Sequence, residues 1–178
     1  MKFFQKRWVA WTLCVLVIFG STLLNTRWKL GARCSELAGS FYGEGSIAQS
    51  LSQLGEDGLS LAKLAEANGI DAGALHVAAE NVLNSLSRRD ANAEELYKSY
   101  AALRSELDSA ERKLLAASLG TEDASALSAC LESIHTANAR IDASDYNAQV
   151  RRFLYRYGNG FTRMLANLAG VDLPAAFA

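Results

Sequence analysis

Apolar residues recur along most of this chain at helical spacing, and the first stretch of them is unbroken by charge. From Trp8 to Thr26, nineteen residues carry none. At a helical rise of about 1.5 Å per residue that run measures roughly 28 Å, close to the hydrocarbon thickness of a bilayer. Lys2, Lys6 and Arg7 precede it and Arg27, Lys29 and Arg33 follow it. Trp8, Trp11 and Trp28 stand near its ends, where amphipathic rings favour the headgroup layer. The pattern predicts one retained membrane-spanning helix, so that the lipid bilayer is the first partner expected. A cleaved secretory signal would have a shorter apolar core and a small-x-small site directly after it, whereas Leu23 and Leu24 follow Gly20, Ser21 and Thr22.

Beyond the run, the apolar positions form stripes. Ile47, Leu51, Leu54, Gly58, Leu61 and Ala65 are spaced by fours and threes, Leu75, Ala78, Ala79, Val82, Leu83 and Leu86 make a second stripe, and Leu96, Tyr100, Leu103, Leu107, Ala110, Leu114 and Ala117 a third. Each is the buried seam of an amphipathic helix. A long fourth helix is predicted after Gly120, capped by Thr121, with Leu127, Leu131, Ile134 and Ile141 on its first half. Tyr146, Val150, Phe153, Tyr157, Phe161, Leu165 and Leu168 continue it, and the polar segment 142–145 marks a shift between the halves. Asn68-Gly69 and the segment 88–92 supply short connections, which favour antiparallel neighbours. The expected fold is therefore all-α: an N-terminal transmembrane helix followed by an up-and-down antiparallel four-helix bundle. Its domains are a membrane anchor over 1–33, a glycine-containing linker over 34–45 and the bundle over 46–178.

Charge divides the chain the same way. The net charge is −1, but residues 1–33 hold six basic and no acidic residues, leaving twelve basic against nineteen acidic in the remainder, near −7. An acidic body has no general attraction for nucleic acid, which is not expected as a partner. One proline, Pro174, leaves helix almost uninterrupted. Of the three cysteines, Cys14 lies in the apolar run, while Cys34 and Cys130 read as small buried residues; they could pair only if the body lies outside the cell.

The most specific pattern lies at the end: Tyr146-Asn147, Val150, Phe153, Phe161, Leu165-Ala166, Gly170-Val171 and Phe177. It resembles the LemA family, whose bacterial members end in a YN…V…FN…FP…LA…G…F pattern on the last helix of a bundle that follows a single N-terminal membrane helix. This chain departs from the pattern twice, with Leu154 in place of the second Asn and Thr162 in place of the Pro after Phe161. The resemblance implies a membrane-tethered helical domain of the bacterial envelope with a binding, sensing or scaffolding role, and it supplies no reaction and no cofactor.

Read from their own chemistry, Tyr146 and Asn147 are expected to lock the register of the bundle, the Tyr burying its ring and the Asn bonding a carbonyl on the facing helix. Asn138, in phase with Ile134 and Ile141, invites the same interpretation. Arg151, Arg152, Arg156 and Arg163 lie among Tyr146, Phe153, Tyr155, Tyr157, Phe161 and Phe177. In an antiparallel bundle the chain's end returns beside the anchor, so these arginines form either a solvated face or a contact with headgroups or a membrane partner.

Catalytic and metal-binding patterns are weak. Glu132 and His135 form one ExxH, half of the di-metal motif of ferritin-like bundles, but His76 has Gly73 three residues before it and no second copy exists. Neither a nucleophile elbow nor a phosphate-binding loop occurs, so the chain is read as no enzyme, with no metal ligand and no cofactor. The expected function is a non-enzymatic binding or scaffolding module of the bacterial cytoplasmic membrane. It is single-pass, with its body on the outer side and an envelope protein as partner. The alternatives are a small-ligand sensor ectodomain and a membrane-tethered hydrolase or metal enzyme.

Overall fold

The computed structural model describes residues 7–88 and 92–178. Lys2 and Lys6 of the basic flank, and residues 89–91 of the expected second connection, lie outside the described residues. Helices follow one another as α1 (Arg7–Tyr42), α2 (Ile47–Ala67), α3 (Gly73–Ser87), α4 (Ala93–Ala116), α5 (Thr121–Asp142), α6 (Tyr146–Tyr157) and α7 (Gly160–Ala169), with no strand among the described residues. The all-α expectation holds.

Three boundaries differ from the expectation. The segment 34–42, expected as linker, continues α1, and the chain turns only at 43–46. A single glycine costs a helix about 1 kcal/mol, and Leu37 and Phe41, buried on either side of Gly39, offset it. The long fourth helix is instead α5, α6 and α7, broken at 143–145 and at Gly158-Asn159. Thr121 is the first residue of α5 rather than its cap; Gly120 takes that position with no side-chain hydrogen bond.

The chain divides into two compact units, Gly39–Ala148 with Ala175–Ala178, and Met1–Ala38 with Gln149–Pro174. In the first, α2 packs on α3, α4 and α5, and α3 on α4. Every predicted position of the first stripe, and of the third from Leu96 to Leu114, is buried. On the second stripe Leu83 and Leu86 are half-buried while Leu75, Ala78, Ala79 and Val82 are buried. Local chemistry fixes the ends. Ser46 caps α2 by accepting from Gln49 N–H at 3.3 Å while the Gln49 side chain accepts from Gly45 N–H at 2.6 Å, close to a capping box. Asn92 caps α4 by accepting from Glu95 N–H at 2.8 Å. Gly55 lets α2 and α3 approach closely, since a Cβ there would stand 2.7 Å from Leu83 Cγ.

In the second unit, α1 is long and apolar enough to cross a membrane near the N-terminus, and 6% of its apolar window is buried. Three of its hydroxyls are paired within the helix: Thr12 donates to Trp8 O at 2.9 Å, and Ser21 and Thr22 donate to Ile18 O at 2.9 and 2.7 Å. Beyond the apolar run, Leu30 and Leu37 form a core with Phe153 of α6 and Ala166 of α7, against which Cys34, Leu154, Tyr157, Val171 and Leu173 pack.

Candidate functional site

The C-terminal signature separates into two groups. Tyr146 and Asn147, at the start of α6, hold the last residues of the chain. Tyr146 donates its hydroxyl to Ala175 O at 3.0 Å. The Asn147 amide donates to Phe177 O at 2.6 Å and accepts from Phe177 N–H at 2.7 Å. Where a carbonyl on a facing helix is expected for Asn147, the carbonyl it bonds is Phe177 O, in the irregular C-terminal segment, whose N–H and C=O are thereby paired.

Phe177 is thereby seated among rings, 5.3 Å from Tyr97 edge-on, 5.7 Å from Tyr100 and 5.8 Å from Phe41, with Phe41 in turn 5.0 Å from Tyr146. Such offset and edge contacts suit the quadrupole of aromatic rings. Burial, with Tyr42 adding to it, pushes the Tyr146 hydroxyl above its ordinary range. Phe41 and Tyr97 escape sequence reasoning because one falls in the expected linker and the other lies one position off the Leu96 stripe. The signal that could have found Phe41 is its spacing of four from Leu37, which continues an apolar stripe into the segment 34–45.

The second group lies in the unit built with Gln149–Pro174. Val150 and Phe153 are buried, and Leu154, at the first departure from the family pattern, joins the apolar core. Leu165, Ala166 and Ala169 are buried on α7. Gly170 closes α7 in the left-handed region at φ +64, with its N–H donating to Asn167 O at 3.2 Å and Val171 N–H to Ala166 O at 3.0 Å, a Schellman closure that needs no Cβ. Thr162, at the second departure, donates its N–H to the Asn159 side chain at 2.8 Å; a proline could not make that cap. Phe161 does not join the buried stripe but is 68% exposed, as is Leu168 at 56%. The reason is the break at Gly158-Asn159, which starts α7 in a new phase.

Arg151, Arg152, Arg156 and Arg163 are all exposed, and Tyr155 among them is 94% exposed. Arg152 and Arg156 also line a cleft of about 330 Å³ with Arg33, Glu36, Leu37, Gln149, Phe153 and Tyr157. On its α1 side, Arg33 and Glu36 pair along the helix at 2.8 Å.

Polar contacts elsewhere tie helices together. Tyr100 donates to Asn138 at 3.0 Å, joining α4 to α5. Arg104 donates to the Tyr100 hydroxyl at 3.0 Å and stands 3.8 Å from Asp142. Burial raises the Tyr100 hydroxyl above its ordinary range against the opposing pull of Arg104. Between α2 and α5, Gln53 donates to Ser133, and Ser133 to Asp57. Cys130 beside them is pushed up to about 11 by burial and then by the Asp57 carboxylate. Cys14, Cys34 and Cys130 are free thiols. Glu132 and His135 are exposed, and no cluster of His, Cys, Asp and Glu among the described residues could hold a metal ion. Comparison with family models, with curated proteins and with solved structures gives no match to this chain.

Proposed function

We propose that this chain is a single-pass, LemA-like membrane protein of the bacterial envelope, in which α2–α5 form an up-and-down four-helix bundle acting as a non-enzymatic binding or scaffolding module. The observation that carries it is the bare apolar surface of α1, where Trp11, Val15, Leu16, Val17 and Ile18 are exposed. A soluble protein's core helix would be covered; in water this surface costs about 25 cal/mol per Å². In lipid it costs nothing, and the hydroxyls of Thr12, Ser21 and Thr22 are already paired. The bundle reading draws on the packing of α2 against α3 and α5 and of α3 against α4. The scaffolding role draws on the resemblance at Tyr146-Asn147, Val150, Phe153, Leu165-Ala166 and Gly170.

Mass spectrometry of the mature protein and carbonate extraction of membranes test the anchor. The expected result is an intact Trp8–Thr26 in a protein that stays with the pellet; a mature N-terminus beyond residue 20 in an extractable protein overturns it. Equal basic flanks, tipped by the N-terminal amine, favour a body on the outer side. Exposed Val77, replaced by cysteine, should then react with an impermeant maleimide on intact cells. The envelope partner would be recovered by affinity capture of the full chain from detergent-solubilised membranes.

A second reading, a small-ligand sensor, is favoured by a cleft of about 310 Å³ lined by Arg104, Asp108 and Glu111 of α4 and His135, Asn138 and Asp142 of α5. A small polar ligand there would raise the melting temperature of the protein, and Arg104→Ala would abolish the shift.

A further inference from the structure

Helix α7 carries two apolar faces where one would suffice. Leu165, Ala166 and Ala169 are buried, and beside them Phe161, Met164 and Leu168 are exposed. At 3.6 residues per turn these three fall within an arc of about 60°. Polar Arg163 and Asn167 occupy the remaining side. Helix α6 is the complement: Phe153 and Val150 are buried, while Arg151, Arg152, Tyr155 and Arg156 make a basic, aromatic exposed face. Between Tyr146 and Ala169 the sequence holds four arginines and no acidic residue, within a body that is acidic overall.

The position of the pair along α1 says what covers this surface. Phe153 and Ala166 share a core with Leu30 and Leu37. Leu30 stands about 6 Å and Leu37 about 16 Å along the helix beyond Thr26, so it is the Leu30 end of the pair that meets a headgroup layer about 5–7 Å deep. A helix held at that height, apolar on one exposed side and flanked by arginines, has the composition of an interfacial membrane helix. Four exposed arginines with no acidic residue in either α6 or α7 suit anionic headgroups at that height.

We propose that α6 and α7 form a second, interfacial membrane contact in which Phe161, Met164 and Leu168 enter the boundary of the acyl chains and Arg151, Arg152, Arg156 and Arg163 engage anionic lipid headgroups. The contact holds α6 and α7 against the bilayer beside the anchor. It rests on the reading of α1 as a span.

The full chain, with Cys14, Cys34 and Cys130 replaced by alanine, is reconstituted into vesicles of phosphatidylethanolamine and phosphatidylglycerol. A fluorescent label is placed at Val15→Cys, Leu168→Cys or Val77→Cys and quenched by lipids bearing a nitroxide on the acyl chain. The expected result is loss of emission at 15 and 168 and none at 77. Emission at 168 as unquenched as at 77, with 15 quenched, overturns the interfacial contact and leaves the span. Unquenched emission at both 15 and 168 overturns the span itself. Label at 168 that is shielded from a soluble quencher yet untouched by the lipid nitroxide means a protein covers the face, and also overturns the proposal. Arg151→Glu with Arg152→Glu and Arg156→Glu should reduce quenching at 168 at low salt without lowering helicity, since exposed charges add little to stability. Undiminished quenching in that variant removes the headgroup role of the arginines.

Discussion

Asn147 and Phe177 bond each other twice, the side-chain amide of one pairing with the backbone N–H and C=O of the other at 2.7 and 2.6 Å. The amide thus does for the chain's last segment what a neighbouring strand would do. It also places the Phe177 ring among Phe41, Tyr97 and Tyr100.

Loss of that pairing should release the segment. Asn147→Leu removes both bonds and is expected to cost about 1–3 kcal/mol, the range for stranding partly buried backbone groups. Phe177→Ala keeps the bonds but empties the ring site, at about 3–5 kcal/mol. Because the bonds and the ring hold the same segment in place, the double variant should lose less than the sum, and denaturant unfolding of all four proteins gives the coupling. Additive losses would mean that the amide and the ring act independently.

The seams of α2 and α4 are legible in the sequence because burial of Leu51, Leu54, Leu61, Leu96, Leu103 and Leu107 needs only a helical period that each stretch carries within itself. Phe161 is not, because its phase depends on a new start set by the Asn159 cap and the Gly158 break. Nor is the tie between Asn147 and Phe177, thirty residues apart, since nothing local distinguishes an amide that bonds a helix from one that bonds a terminal segment. The end of α1 is hidden for a third reason: Gly39 weakens a helix locally, and the burial of Leu37 and Phe41 that overrides it is tertiary.

Gly55 and Leu83 give a test of the α2–α3 approach. On an open helix, Gly→Ala stabilises by about 1 kcal/mol. Here the added Cβ would stand 2.7 Å from Leu83 Cγ, so Gly55→Ala should instead destabilise by about 1–3 kcal/mol through overpacking. Leu83→Ala in the same chain should recover part of that loss. A rise in melting temperature for Gly55→Ala alone would show that the helices can separate without cost.

The Cys130 thiol should be slow to react in the folded protein. It is half-buried and pushed up to about 11 by burial and by Asp57, so near pH 8 its thiolate is on the order of one part in a thousand. Alkylation at pH 8, followed by peptide mass spectrometry, should label Cys130 far more slowly in the native protein than in urea. Asp57→Asn should quicken the native reaction by removing the carboxylate. Equal native and denatured rates would mean that the α2–α5 seam opens readily.

Alkaline pH should unfold the protein through Tyr100 and Tyr146, both raised chiefly by burial. An unfolded tyrosine loses its proton near pH 10. Below that value both states keep the proton and stability is flat. Above it the unfolded chain binds fewer protons than the native one, so the stability these two hydroxyls contribute falls as pH rises, and is lost through their higher folded values. Tyr100→Phe deletes one of the two titrations along with the hydrogen bond to Asn138. At pH 8 it should be less stable than the parent by about 0.5–1.5 kcal/mol, yet decline less steeply above pH 10. Urea unfolding at stepped pH measures both quantities at once, and parallel alkaline limbs for parent and variant would show that Tyr100 is ionised as easily in the folded protein as in the unfolded chain.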